Sequence, residues 1–162
     1  MIQNVKSIVA DYRKCMDLEI KDETSVVSTG LFYMERQLED FIIHNWEETE
    51  LGRKYDLIYE EGELKSRQFN TEIGRIDILA KDKFDNNSYV VIELKRNQTS
   101  DETIGQITRY MVWVKNNIPN SKVKGIIIAG KYDGSVRYAI DIVPDIDVFL
   151  YQVDFKLNEY IQ

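Results

Sequence analysis

The sequence contains few of the cysteine and histidine residues that form disulfides or bind metals in small proteins. With one cysteine, Cys15, it can form neither an internal disulfide nor a cysteine-based zinc site. A single histidine, His44, excludes a histidine-based metal cage. No apolar run approaches the roughly 18 residues of a membrane span, and the N-terminal segment lacks the apolar core of a signal peptide. We therefore expect a cytoplasmic protein that does not associate with membranes.

The residues that are present describe an ordinary globular domain with an excess of acid. The chain has 162 residues, 43% of them hydrophobic and 30% charged, which suits one domain with a proper core and excludes disordered and fibrous classes. A net charge of −7 argues against coating of nucleic acid by bulk electrostatics, but leaves room for a local DNA-binding cleft. Acidic residues concentrate in residues 35–63, so DNA would bind the second half of the chain.

The first 28 residues are predicted to form a helical appendage and linker ahead of a main domain at residues 29–162. Residues 2–18 place apolar side chains at helical spacing, and a polar stretch follows at residues 21–29. The apolar stripe needs a partner. The appendage would either dock on the main domain or act as the arm of a homodimer.

The main domain is predicted to be α/β, with a mixed sheet flanked by helices. A helix over residues 31–46, capped by Ser28 or Thr29, would turn an apolar stripe inward. The members of that stripe are Leu31, Met34, Leu38, Phe41 and Ile42. The later elements are a hairpin of residues 55–59 and 64–69 with its turn at Gly62, antiparallel strands at 74–80 and 88–95, a helix at 103–116, a parallel strand at 124–129, a short helix or strand at 138–143 and a last strand at 146–153.

The strand at residues 88–95 carries an acid and a base that it does not need for its structure. Residues 89–92 are apolar without alternation, which is typical of a central strand covered on both faces. Because side chains alternate along a strand, Glu93 and Lys95 share one face, about 7 Å apart, while Leu94 points into the opposite layer.

The preceding strand contributes a second acid. Ile76, Ile78 and Ala80 are expected to share one face, which leaves Asp77 on the other. Pairing of the two strands would then bring Asp77 beside Glu93, so that two carboxylates and a lysine converge at one end of the sheet.

This convergence is the arrangement that a metal-dependent phosphodiesterase needs. Mg²⁺, or Mn²⁺ in its place, prefers oxygen ligands, and Asp77, Glu93 and the carbonyl of Leu94 would supply three. The ion would lower the pKa of a bound water and polarise the phosphate, and Lys95 would orient that water or stabilise the transition state. An isolated Glu-x-Lys pair is usually surface decoration. Here the strand is buried, and buried charges cost several kcal/mol per ion unless they are compensated, which favours a functional site.

Three motifs occur in order and resemble a known pattern. They are Gly74-Arg-Ile-Asp77, Val91-Ile-Glu93-Leu-Lys95-Arg96 and Gly105-Gln106-Ile-Thr-Arg-Tyr110. The set is similar to the core of the PD-(D/E)XK nucleases, and most closely to the C-terminal catalytic domain of the NucS/EndoMS mismatch endonucleases, over about residues 31–130. The resemblance implies a restriction-endonuclease-like fold, magnesium-dependent DNA cleavage and a place in DNA repair.

The resemblance also implies roles for individual residues. Asp77 and Glu93 would bind the metal, Lys95 would be catalytic, and Gln106 would help to complete the site. An acid on the first helix contributes in that family. Glu35 matches it best, and Glu39 is the other candidate.

The leading hypothesis is therefore a Mg²⁺-dependent endodeoxyribonuclease. Its DNA would be bound around the cleft by Arg75, Arg96, Arg109 and Lys115. The alternative is a catalytically inactive module that kept the nuclease fold to bind DNA or a protein partner. Its motivation is the acidic net charge and the lack of room for the N-terminal DNA-binding domain of the NucS enzymes, for which reason mismatch specificity is not carried over.

Overall fold

The computed structural model describes residues 26–131 and 133–152. The helix predicted at residues 2–18 lies outside the described residues, and the division of the chain at residue 28 stays a prediction. The described elements, in chain order, are α1 (Val26–His44), a 3-10 turn (Trp46–Glu48), α2 (Glu50–Lys54), β1 (Tyr55–Leu57), β2 (Tyr59–Glu60), β3 (Glu63–Leu64), β4 (Arg67–Thr71), β5 (Gly74–Asp82), β6 (Ser88–Gln98), α3 (Asp101–Asn117), β7 (Lys122–Lys131), α4 (Gly134–Ile142) and β8 (Ile146–Leu150).

Six of the strands form one mixed sheet with helices on both faces, and β2 and β3 form a separate two-stranded sheet. β5 pairs antiparallel with β6, whereas β6, β7 and β8 are parallel neighbours in that order. α3 is the crossover that returns the chain from β6 to β7, and the hydroxyl of Ser100 caps it by accepting a hydrogen bond from the Thr103 amide at 3.3 Å. The predicted α/β architecture with a mixed central sheet is confirmed.

The core divides into two layers, one on each face of the sheet. β6 lies between them: Val90, Ile92 and Leu94 face the layer under α1, and Val91 faces the layer under α3. This confirms the prediction of a central strand covered on both sides. None of the helices in the described part of the chain has the length and apolar character to cross a membrane.

The first described helix differs from its prediction at both ends. Within the described residues it spans Val26–His44, so Ser28 and Thr29 lie inside the helix and cannot cap it as predicted. On its inner side Leu38 and Ile42 do pack against the core, but Phe41 is 40% exposed, because the inward face is narrower than the apolar stripe.

The hairpin predicted before β5 is smaller than expected. Only β2 and β3 pair with each other, around a turn in which Glu61 and Gly62 both have positive φ, 52° and 83°. The flanking segments β1 and β4 pair instead with the two halves of β5. Between β1 and β4 the chain leaves the edge of the sheet at Ile58 and returns to it at Ser66. The Ser66 hydroxyl accepts a hydrogen bond from the Ile58 amide at 2.6 Å.

The last elements are close to their predicted positions. The segment predicted as a short helix or strand is the helix α4, which starts at Gly134. β7 extends beyond residues 124–129 at both ends, and β8 is shorter than predicted.

Candidate active site

The predicted acids lie at a fork where β5 and β6 separate. The final antiparallel pair is Ile78 with Ile92, and the next positions along the two strands are Asp77 and Glu93. Beyond that pair the amide of Leu94 donates to Asp77 Oδ2 at 2.8 Å. A side-chain carboxylate thus replaces the backbone acceptor of a regular ladder, which fixes Asp77 at the point where the strands part.

The fork changes the alternation that was predicted for β5. Ile78 and Ala80 share the α1 layer, as expected, but Ile76 lies in the α3 layer with Leu79. The prediction that Ile76 shares a face with Ile78 is wrong, because β5 is paired only with β4 at this point and no longer follows the pleat of β6.

Glu93 is the most deeply buried acid of the site, with 1% of its surface exposed. Its Oε1 accepts a hydrogen bond from Lys95 Nζ at 2.9 Å, whereas its buried Oε2 has no hydrogen-bond partner. Burial, together with the negative charge of Asp77, raises the pKa of Glu93 to about 7, against the opposing effect of Lys95. Glu93 is therefore balanced between its two protonation states at neutral pH, and its ionised form lacks a partner for one oxygen.

Asp77 is held through both of its oxygens. In addition to the Leu94 amide on Oδ2, the side-chain amide of Gln68 donates to Oδ1 at 3.3 Å. Burial raises the pKa of Asp77, although the Leu94 hydrogen bond and the charge of Lys95 partly offset that effect. Each oxygen keeps a lone pair, so the carboxylate remains able to bind a cation.

Lys95 lies between the acid pair and α3. Its Nζ donates to Glu93 Oε1 and, at 3.4 Å, to Oε1 of Gln106, so the structure brings the predicted Gln106 into contact with Lys95. Burial by itself would lower the pKa of Lys95, but the charge and hydrogen bond of Glu93 raise it above its usual value. Lys95 is therefore a cation at neutral pH.

A bulge follows Lys95 in β6. The pairing with β7 shifts between Lys95 and Gln98, and a Cβ atom at Gly130 would lie 2.7 Å from the carbonyl oxygen of Arg96. The Arg96 amide donates to Glu35 Oε1 at 3.3 Å, and the Tyr151 hydroxyl donates to the Arg96 carbonyl. Side chains therefore hold the backbone of the bulge, and the first of them is the predicted helix acid Glu35.

The two glutamates of α1 reach the site in different ways. Glu39 is only 3% exposed and accepts hydrogen bonds from Arg67 Nε and Gln68 Nε2, so it lies inside the fold. Glu35 is half-buried and contacts the Arg96 backbone. Sequence reasoning missed Arg67 and Gln68, because a polar strand residue gives no sign that its partner is buried.

The four predicted DNA-binding residues differ in exposure, and one of them lies far along α3 from the fork. Arg75, Arg109 and Lys115 are exposed, and Arg96 is half-buried. The helical rise of about 1.5 Å per residue puts Lys115 roughly 13 Å along α3 from Gln106, towards the far end of the sheet. Contact of all four with DNA stays a prediction.

A glycine is required at position 74 by a contact that the sequence did not reveal. Its φ is +135°, and a Cβ atom there would lie 2.6 Å from the hydroxyl of Tyr110 on α3. The missing side chain makes room for Tyr110, which accounts for the glycine.

The donor set suits a hard divalent cation. Within residues 26–131 and 133–152, no group of three or more His, Cys, Asp or Glu side chains could hold a metal ion. Binding at the fork would therefore depend on two carboxylates, Asp77 and Glu93, with the Leu94 carbonyl and waters. Mg²⁺ and Mn²⁺ accept such oxygen sets, and the buried, unpartnered Oε2 of Glu93 is an atom that a cation would satisfy.

The sequence is similar to those of known proteins. Residues 34–141 match the family model of the endonuclease NucS C-terminal domain. Endonuclease NucS of Methanocaldococcus jannaschii is 38% identical over 77 residues, which are 48% of this chain and 28% of that protein. Endonuclease NucS of Sulfolobus acidocaldarius is 28% identical over 139 residues, 84% of this chain and 49% of that protein.

Solved structures share the fold. A repair endonuclease from Pyrococcus abyssi superposes with a TM-score of 0.58 at 21% identity, over 73% of this chain and 46% of that chain. The structure of an EndoMS–dsDNA2 complex gives a TM-score of 0.55 at 18% identity, over 72% and 44%. The chain thus spans at most about half the length of these relatives. The family match covers most of the sheet and the whole fork, and by it the chain belongs to the endonuclease NucS C-terminal domain family.

Proposed function

We propose that the chain is a Mg²⁺- or Mn²⁺-dependent DNA endonuclease of the PD-(D/E)XK type that hydrolyses phosphodiester bonds in DNA repair. The observation that carries the proposal is the buried, unpartnered oxygen of Glu93 beside Asp77 and the cationic Lys95. Two relatives are named endonucleases, one solved neighbour is described as a repair endonuclease, and another is in complex with double-stranded DNA.

The residues of the fork have separate parts in this chemistry. Asp77, Glu93 and the Leu94 carbonyl would hold the ion, which when bound polarises the scissile phosphate and lowers the pKa of a water. Lys95 keeps its positive charge at neutral pH and stabilises negative charge that develops on the phosphate. Gln106 accepts a hydrogen bond from Lys95 and so restricts where the ammonium group points. Glu35 supports the bulge that follows Lys95.

Binding of DNA to a chain with a net charge of −7 requires local positive charge. Arg75, Arg96, Arg109 and Lys115 supply it in this proposal. An inactive nuclease-fold module that binds DNA or a protein is the second candidate, which the same net charge favours.

The proposal is tested by incubating the purified chain with supercoiled plasmid and with matched, mismatched and branched duplexes, in Mg²⁺, Mn²⁺ or EDTA. Cleavage is expected only with metal. Glu93→Gln and Lys95→Met should each lower the cleavage rate at least about 100-fold, as loss of a preorganised electrostatic group does.

The chain provides a matched control for both variants. Glu63-Leu-Lys65 repeats the tripeptide of the site on the exposed hairpin, with Lys65 Nζ 2.6 Å from Glu63 Oε2. Glu63→Gln and Lys65→Met should leave the rate unchanged. Calorimetric uptake of Mn²⁺ without cleavage of any substrate would favour the inactive module, and no uptake at all would contradict the metal site itself.

A further inference from the structure

Gln68 places one amide group between two carboxylates. Its Nε2 donates to Glu39 on one side and to Asp77 Oδ1, at 3.3 Å, on the other. An amide nitrogen carries two hydrogens and no charge, so it can bind two acids at once without adding a third ion. The buried Glu39 is in turn paired with Arg67, which fixes the far end of this chain of contacts.

We propose that Gln68 is a positioning residue for Asp77, and that it anchors this carboxylate to the buried Glu39–Arg67 ion pair. The inference rests on the proposed function, since it takes Asp77 to be a metal ligand. With the Leu94 amide on Oδ2 and Gln68 on Oδ1, both oxygens are held and the plane of the carboxylate is set. A ligand whose orientation is fixed in advance does not need to be ordered when the metal binds.

The hydrogen bonds of Glu39 indicate how it contributes to the site. Each of its oxygens receives a hydrogen bond, Oε1 from Arg67 and Oε2 from Gln68. Glu39 is therefore linked to Asp77 through the Gln68 amide.

The backbone of Gln68 is a second, independent observation. Its φ of 46° lies in the left-handed region, where a residue other than glycine costs about 1 kcal/mol or more. Such a conformation persists where the surrounding structure requires the direction of a side chain. Here it directs the amide at Glu39 and Asp77, away from the regular alternation of an edge strand.

The test compares Gln68→Met with Gln37→Met in the full chain. Methionine keeps the length of the side chain and removes the donor, and Gln37 is an exposed residue on α1 where the same change serves as control. Mn²⁺ affinity is measured by calorimetry without DNA. We expect Gln68→Met to bind Mn²⁺ at least about tenfold more weakly, the usual effect of losing a partner of a metal ligand, and Gln37→Met to bind as the wild type does.

The dependence of the cleavage rate on Mn²⁺ concentration provides a second measurement, which would not change if Gln68 had a purely structural role. Saturating Mn²⁺ should restore the cleavage rate of Gln68→Met, because the defect lies in affinity, and should not restore that of Lys95→Met. If Gln68→Met does not fold, Gln68→Gly removes the same amide in a residue that suits a φ of 46°.

The outcomes separate this inference from the proposed function. Wild-type Mn²⁺ affinity in a folded Gln68→Met, with a wild type that binds Mn²⁺ and cuts DNA, would overturn the positioning role and leave the nuclease intact. A wild type that takes up no Mn²⁺ would overturn both.

Discussion

The same tripeptide, Glu-Leu-Lys, occurs twice in this protein with opposite electrostatics. In the exposed copy the hydrogen bond and charge of Lys65 lower the pKa of Glu63, whose side chain is 75% exposed. In the buried copy desolvation outweighs the pairing with Lys95 and raises the pKa of Glu93 to about 7. Chemical identity and spacing are equal, so the difference comes from burial and from the charge of the neighbouring Asp77.

Stability should depend on pH through Glu93. Below pH 4.5 both the folded and the unfolded states hold this proton, whereas between pH 4.5 and about 7 only the folded state does. The free energy of unfolding of the metal-free protein should therefore fall as the pH rises through this window, by up to about 3 kcal/mol. Urea unfolding at pH 5, 6, 7 and 8 measures it.

The control is Glu93→Gln, which has no proton to lose. It should remove this part of the pH dependence and make the metal-free protein more stable than the wild type at pH 8. Equal slopes for both proteins between pH 5 and 7 would contradict the raised pKa.

Residues around the fork divide into those that a sequence can reveal and those that it cannot. The sequence predicted Asp77, Glu93 and Lys95, because the apolar run before Glu93 indicated a buried strand and the neighbouring strand supplied Asp77. Gln68 and Glu39 were missed as partners, because their contact joins a helix and a strand 29 positions apart. Nothing in the local pattern specifies such a pairing.

At the scale of elements, β5 and β6 show where periodicity stops being informative. Alternation held along β6, which has ladder neighbours on both sides, and failed on β5 at Ile76, beyond its last pair with β6. The bulge after Lys95 was equally invisible, since it depends on which residue of β7 lies opposite. The periodicity of apolar residues thus predicted that the strands exist, whereas the hydrogen-bonded pairing with neighbouring strands determines where their regular alternation ends.

The contact between β5 and α3 should be sensitive to one methyl group. Gly74→Ala adds a Cβ atom 2.6 Å from the Tyr110 hydroxyl at a φ of +135°, and we expect a loss of about 2–3 kcal/mol in the free energy of unfolding. Tyr110→Phe in the same chain should recover the part due to the hydroxyl, which a double-mutant cycle in urea measures.

Gly62 serves as a control that separates the cost of backbone strain from the cost of the contact with Tyr110. Gly62 has a φ of +83° with nothing within 4 Å of its Cβ position, so Gly62→Ala should show the strain alone, about 1 kcal/mol. An equal loss at Gly74 and Gly62 would mean that the Tyr110 contact contributes nothing.

The bulge in β6 should depend on Gly130. A Cβ atom there would lie 2.7 Å from the Arg96 carbonyl, a backbone atom that cannot rotate away, so Gly130→Ala should destabilise the fold by about 1–3 kcal/mol. Because the bulge adjoins Lys95, the cleavage rate should fall as well. Gly134→Ala, with open space around its Cβ position, should change the free energy of unfolding by less than about 0.5 kcal/mol. Similar values for the two variants would exclude a packing role for Gly130.

For the molecule as a whole, the buried Oε2 of Glu93 has no hydrogen-bond partner, so the stability of the fold should depend on whether a divalent cation is bound. A cation that binds only the folded chain adds about 2.7 kcal/mol at a concentration 100 times its dissociation constant. For a chain of this size that should raise the Tm at pH 8 by about 5–10 °C, and EDTA should reverse the rise. Differential scanning calorimetry with Mn²⁺ measures it.

Asp77→Asn is the matched variant for this measurement. It keeps an oxygen that can accept from the Leu94 amide and removes the negative charge. Its Tm should not respond to Mn²⁺. A full response in this variant would place the cation elsewhere on the molecule.

The hairpin of β2 and β3 projects from the edge formed by β1 and β4, and its base is closed by the Lys65 amide, which donates to the Ile58 carbonyl at 2.8 Å. Its turn, at Glu61 and Gly62, is exposed. Extra residues or a fluorescent label added at this tip would therefore leave the sheet's hydrogen bonds in place. The hairpin offers an attachment point from which association with a nucleic acid can be followed optically without altering the fork.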